Sequence, residues 1–280
     1  MSLVWLNGRI INLTDASISA KDRGFLLGDG LFETMAVYRG QVFDLDAHLA
    51  RLGAGLALLK FAAAVDLGKL RATIADYAAT GGMAQAVLRL TVTRGAGPRG
   101  LLPPEAPAPT LLMTLSPMPP LDAAPLSVHV AAVTRRNELS ALSQIKALPY
   151  LDNVLALQEA RGHGADDALL LNTQGRIACA SAANIFAIRG SRLETPPISD
   201  GALPGIMRAR VLALAPKLGL APVEASLILE DLAGADEVFL TNTVRRVMPV
   251  RECDGKPIGG RGGRALDRLN ALIASRFDIA

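Results

Sequence analysis

The chain has 280 residues, half of them hydrophobic, a fifth charged and only 4% aromatic, with a formal net charge of +3. That length suggests two domains, and an apolar content this high with so little net charge excludes a disordered polymer. The most apolar stretch, residues 56–67, contains Lys60 and ends at Asp66, short of the ~20 clean residues that a membrane span needs.

Residues 1–7 have no basic start and too short an apolar run for a leader, so none is expected. Residues 3–12 read as strand, Asn7-Gly8 turn, strand, and 32–43 as a hairpin around Arg39-Gly40 with apolar residues at alternate positions. Asp46 is the expected cap of a helix to about Lys60, whose Leu49, Leu52, Leu56 and Leu59 share one face. A second helix is expected over 66–80, and strands over 86–93 and 110–115. The stretch 116–125 (SPMPPLDAAP) is Pro-rich and aperiodic. It separates a first block, 1–117, from a second, 126–280, with 118–125 as the linker. The second block predicts strands at 126–133, 168–171, 176–179, 184–188, 238–241 and 247–250. Helices are expected at 148–161, 204–218 with proline in its first turn, and 265–277. Strands and helices alternate without a strict βαβ period, which predicts a two-domain α/β (α+β) fold.

The pI of about 9.1 raises the question of nucleic acid. The basic residues are scattered and not interleaved with aromatics, so nucleic-acid binding is not expected. Arginine (23) far outnumbers lysine (6), which favours small anionic ligands held bidentately. His48, His129 and His163 are far apart in the chain, and no HExxH or CxxC occurs, so no metal site is expected. Serine-hydrolase, P-loop and dinucleotide-binding signatures are absent too. Cys179 and Cys253 are too few for a disulfide scaffold and suit a reducing, cytoplasmic setting. Five of the six lysines have bland positions. Lys146 lies between Ile145 and Ala147-Leu148 at a helix mouth, where apolar surroundings favour a lysine nucleophile and proton shuttle. LPGIMR (203–208) offers free N–H groups at a helix start, and TNT (241–243) offers hydroxyls at a strand end, both suited to an anion. Arg51 could add a cation from a helix face.

Seven motifs occur in one order: GDGLFET (28–34), HLARL (48–52), TRGAGPRG (93–100), IKALPYLDNVLALQEA (145–160), ANIF (183–186), LPGIMR (203–208) and TNTVRRVMPV (241–250). Together they resemble the class IV aminotransferases, the fold-type IV pyridoxal-phosphate enzymes, over about residues 5–250. The resemblance implies a small N-terminal α/β domain, a larger C-terminal pseudo-barrel domain, pyridoxal 5'-phosphate between them, and a homodimer. It makes Lys146 the lysine that carries the cofactor and moves the substrate α-proton. By the same resemblance Arg51, Gly205, Ile206, Met207 and Thr243 hold the cofactor phosphate, and Tyr150 lies against the cofactor. Phe32 lines the substrate pocket, and Arg99 binds or gates a substrate carboxylate.

Two positions depart from the family pattern. Cys179 stands where most members carry the glutamate that pairs with the pyridine nitrogen, which weakens the ring as an electron sink. Met207 stands where aminotransferases often carry threonine and lyases read as this chain does. The motifs divide between two reactions. Transamination between a branched-chain or D-amino acid and a 2-oxo acid is the leading expectation. The alternative is 4-amino-4-deoxychorismate lyase, which releases pyruvate and 4-aminobenzoate, and a catalytically impaired cofactor-binding relative is a lesser one.

Overall fold

The computed structural model describes residues 3–121, 124–260 and 265–275. The chain forms two compact units, one of Met1–Pro119 with Ile145–Pro149, the other of Pro120–Gln144 with Tyr150–Ala280. The segment 145–149, read from the sequence as part of the second block, thus clusters with the first. Residues 122 and 123 of the expected linker lie outside the described residues, and 116–117 extend a strand.

The first unit contains β1 (Leu3–Leu6), β2 (Arg9–Asn12), α1 (Arg23–Leu27), β3 (Gly30–Tyr38) and β4 (Gln41–Val42). It continues with α2 (Leu45–Leu58), α3 (Leu67–Thr80), β5 (Gln85–Thr93) and β6 (Thr110–Pro117). Its antiparallel sheet has the order β2-β1-β6-β5-β3-β4. Side chains alternate along a strand, so the pairs Leu31–Val92, Glu33–Leu90 and Met35–Leu88 share one face, and Phe32, Thr34, Arg89 and Thr91 share the other. The first face takes the apolar stripes of α2 (Leu49, Leu52, Leu56) and α3 (Leu70, Ile74, Tyr77) into one core. A Cβ at Gly55 would stand 2.8 Å from Leu31 Cδ1, so glycine lets α2 seat directly on β3.

The second unit begins with β7 (Leu126–Val130), α4 (Leu151–Gly162), β8 (Asp167–Leu171), β9 (Ile177–Ala180), β10 (Asn184–Arg189) and β11 (Arg192–Thr195). There follow α5 (Ile206–Leu214), β12 (Ala221–Glu224), α6 (Leu229–Ala233), β13 (Glu237–Asn242), β14 (Arg246–Cys253), β15 (Lys256–Pro257) and α7 (Ala265–Ala274). The sheet order is β12-β11-β10-β13-β14-β7-β8-β9, with β15 paired to β14. Two crossovers, β7-α4-β8 and β11-α5-β12, join parallel neighbours. Buried Ile185, Ala187, Val238, Leu240, Met248 and Val250 make the centre of this core. Among the described residues no helix is long and apolar enough to cross a membrane.

Several boundaries differ from expectation. Asp44, not Asp46, precedes α2; it adopts φ 50 and makes no side-chain cap, while Asp46 lies in the first turn. β7 ends at Val130. The helix expected from 148 starts at Leu151, because Pro149 biases residue 148 toward extended backbone. α5 starts at Ile206 with Gly205 as its N-cap, and Pro216 lies in the 3-10 turn that ends it. Residues 276 and 277 of the expected closing helix lie outside the described residues. Short α1, α6, β11, β12 and β15 carry too few residues for a period to show.

Leu31 is 2% exposed between Gly55 of α2 and the segment that carries Lys146. Leu31→Ala should cost roughly 2–5 kcal/mol through lost contact and residual cavity. Denaturant unfolding of the two proteins at equal m-value checks it.

Candidate active site

The first unit builds its share of the site on β3. β4 pairs only with the far end of that strand, at Val37 and Tyr38. At the near end the segment Ile145–Pro149 lies alongside: Phe32 N–H donates to the Lys146 carbonyl (3.0 Å) and Leu148 N–H to that of Gly30 (3.0 Å). Leu31 and Ala147 pair as an isolated antiparallel bridge. Ile145 (5% exposed) and Ala147 (6%) pack into the core, and Lys146 between them projects toward Phe32 on the other face of β3. There the Lys146 Nζ stands 4.3 Å from the Phe32 ring centroid. Arg89 Cζ approaches the same ring to 4.0 Å, as its place beside Thr34 across the β3–β5 ladder allows. Two cations on one aromatic ring form a positively charged wall for an anionic, planar ligand.

Arg51 projects from α2 onto Glu33. Its Nε donates to Oε1 at 2.8 Å and its Nη2 to Oε2 at 2.5 Å, while His48 Nδ1 lies 2.7 Å from Oε2. Glu33 and His48 are almost wholly buried. Burial pushes the Glu33 carboxyl up, and the hydrogen bonds from Arg51 and then His48 more than offset it, so it is held below the usual carboxylate range. This pairing fixes the guanidinium of Arg51 in one orientation. Arg99 lies exposed on the loop after β5. The buried Arg23 pins that loop by donating to the carbonyls of Gly100, Leu101 and Leu102 and to Asp29.

The second unit supplies an anion cradle. Gly205 caps α5 without a side chain, which leaves the first N–H groups of a nine-residue helix for an external acceptor. A Cβ there would lie 2.0 Å from Asn184 Oδ1, so only glycine admits Asn184, whose Nδ2 donates to the Leu203 carbonyl at 2.9 Å. Asn184 of β10 sits opposite Thr241 of β13. The Thr241 hydroxyl is buried with no hydrogen-bond partner among the described residues. Thr243 follows in the β13–β14 turn, where Asn242 Oδ1 accepts from the N–H groups of Val244 and Arg245. Uncapped helical N–H groups, an orphaned hydroxyl and a buried Thr243 suit a phosphate.

Tyr150 precedes α4 as its N-cap residue. Cys179 pairs with Leu170 across β8–β9 and is buried. Burial pushes its thiol up, with Arg136 opposing and Asp167 adding, so the sulfur is neutral at physiological pH.

Sequence reasoning missed Glu33, His48, Arg89 and Asn184 as site residues and offered Thr241 within the 241–243 cradle. Glu33 was findable: a carboxylate at an inward position of an alternating strand needs a cationic partner. Arg89, Asn184 and Thr241 depend on pairings between distant strands. Since the folded value of Glu33 is depressed, its stabilising contribution is complete above about pH 4.5 and disappears as pH falls through that lower value. Glu33→Gln should lower stability by about 3–5 kcal/mol at pH 7, because it removes the buried carboxylate that pairs with Arg51. The gap from the parent should narrow below pH 4.5, as pH-resolved denaturation will read.

The family model "Amino-transferase class IV" matches residues 30–253. A Methanocaldococcus jannaschii protein named for branched-chain-amino-acid aminotransferase activity is 35% identical over 92% of this chain and 90% of its own length. The Escherichia coli branched-chain amino acid aminotransferase structure superposes with a TM-score of 0.92 at 27% identity, covering 99% of this chain and 94% of that one. The 4-amino-4-deoxychorismate lyase of Pseudomonas aeruginosa has a TM-score of 0.85 at 32% identity over 99% of both. The chain belongs to the class IV aminotransferase family.

Proposed function

We propose that the protein is a pyridoxal 5'-phosphate-dependent aminotransferase that moves an amino group between a branched-chain or D-amino acid and a 2-oxo acid. The observation that carries this is Lys146, held by strand pairing with its Nζ 4.3 Å from Phe32. Within the second unit, the N–H groups of Ile206 and Met207 behind Gly205 and the buried Thr243 fit the phosphate of the cofactor; within the first, Glu33 presets the guanidinium of Arg51. When bound, pyridoxal phosphate supplies an electrophilic carbon and a conjugated ring that stabilises negative charge at the substrate α-carbon.

The protein groups then divide the work. The Lys146 Nζ would hold the cofactor and, as a free amine, move the proton at the substrate α-carbon. Phe32 would wall the pocket and restrict water, Arg89, 4.0 Å from its ring, and Arg99 would offer charge for a substrate carboxylate, and Tyr150 would lie against the cofactor. Cys179 serves the pyridine nitrogen only as a neutral thiol, a weaker partner than the family's usual carboxylate. A second reading, the lyase that releases pyruvate and 4-aminobenzoate, draws on Met207 at the start of α5 and on the likeness to the Pseudomonas enzyme. The proposal includes a homodimer, supported by the exposed apolar run Phe25, Leu26 and Leu27 of α1. A cytoplasmic setting is supported by two free cysteines.

The test is the visible spectrum of the cofactor-loaded protein before and after D-alanine, L-leucine or L-glutamate. One amino acid should convert the band to that of the amine form of the cofactor. A band that none of them shifts, together with 4-aminobenzoate release from aminodeoxychorismate, would replace transamination by the lyase. Lys146→Ala should abolish the band and turnover, and full activity in that variant would sink the assignment. Cys179→Glu should raise turnover about tenfold or more, the scale of one charged hydrogen bond at about 1.5–3 kcal/mol. Steady-state kinetics against the parent would measure it.

A further inference from the structure

Two of the three histidines, separated by 34 positions, meet in the second unit. His129 lies on β7 and His163 at the C-cap of α4, and their rings stack with centroids 4.2 Å apart and planes 18° from parallel. Glu159 stands one helical turn before His163, so both face the same way from α4. One ligand atom from each of His129, Glu159 and His163 can be chosen so that all three lie within 4.8 Å of one another.

Neighbouring groups fix His129 and Glu159, and the exposed His163 ring would turn out of the stack to aim a nitrogen at a shared ion. His129 Nδ1 is 2.6 Å from Asp254 Oδ1, which assigns its proton to that side and leaves Nε2 with a lone pair. Asp254 is itself fixed, accepting from the N–H of Val130 at 3.1 Å. His129 Nε2 is buried without a hydrogen-bond partner, and the nearest Glu159 oxygen, Oε1, is 3.7 Å away, too far for a hydrogen bond. The Glu159 carboxylate is clamped by the N–H groups of Ala132 and Val133 at 3.0–3.1 Å. A cavity of about 240 Å³ opens beside the two histidines and is lined also by Glu252 and Asp254. An orphaned imidazole nitrogen facing a carboxylate at non-bonding distance, with a second imidazole above it, costs free energy that a bound cation would recover.

We propose that His129, Glu159 and His163 form a binding site for a divalent transition-metal ion of the zinc class, with Asp254 as the carboxylate that orients His129. Imidazole and carboxylate donors suit such ions. Three protein ligands leave one tetrahedral position open toward the cavity. The carboxylate–histidine pair is the usual outer support of such a site. The ion would tie the C-terminal end of α4 to β7.

The test is equilibrium dialysis of the cofactor-loaded protein, stripped with EDTA, against Zn²⁺ alone. One zinc per chain is expected, with a rise in Tm of several degrees on zinc addition. His163→Ala, an exposed substitution that leaves the fold intact, should lose that zinc and the Tm rise. Asp254→Asn should bind about tenfold more weakly, and Cys253→Ser should bind as the parent does. No stoichiometric zinc in the parent, or zinc retained by the His129→Ala/His163→Ala double variant, would overturn the proposal. The cofactor band of the parent, unchanged by zinc, separates this site from the cofactor site.

Discussion

The candidate site depends on five residues adopting the role of a strand. β4 is only two residues long, which leaves the near end of β3 without a partner on that side. The segment 145–149 occupies it through two backbone hydrogen bonds and one bridging pair. An unpaired strand edge must satisfy its N–H and C=O groups somewhere, and here that requirement positions the reactive side chain. With Ile145 and Ala147 buried in the apolar core, Lys146 between them projects to the face that carries Phe32 and Arg89. A shift of one residue in this register would bury the lysine and expose its neighbours.

The same economy governs the anion-binding groups. Arg51 is useful only if its guanidinium is already oriented, and a buried carboxylate with an imidazole on its other side achieves this at the cost of desolvating Glu33. In the second unit the cradle rests on a missing side chain. Gly205 admits Asn184, Asn184 ties the loop before α5 to β10, and the helix begins with its N–H groups directed outward. Both devices place the costs of preorganisation in the protein rather than in the binding step.

Cys179 gives this member of the family its own character. Its strand position is ordinary, opposite Leu170 in a buried ladder, and its sulfur stays protonated because burial outweighs the opposing charge of Arg136. Cys253 is likewise pushed up, to about 11, by burial and by Asp254. Neither thiol has the depressed acidity of a reactive cysteine.

Much was legible in the sequence. Periodicity marked α2, alternation marked β3, the Asn7-Gly8 turn marked the first hairpin, and the ordered motifs from GDGLFET to TNTVRRVMPV identified the family and singled out Lys146. Those features are local, or spaced along the chain in a way that needs no knowledge of pairing. What only the tertiary structure decided were contacts between distant segments. They include the alliance of 145–149 with β3, Arg89 over Phe32, Glu33 between His48 and Arg51, and Asn184 in the space left by Gly205. His129 and His163, read from sequence as isolated, lie ring on ring because a parallel crossover returns the end of α4 to β7. Strand partners are chosen by burial and backbone hydrogen bonding over the whole unit, and such choices leave no fixed spacing in the sequence.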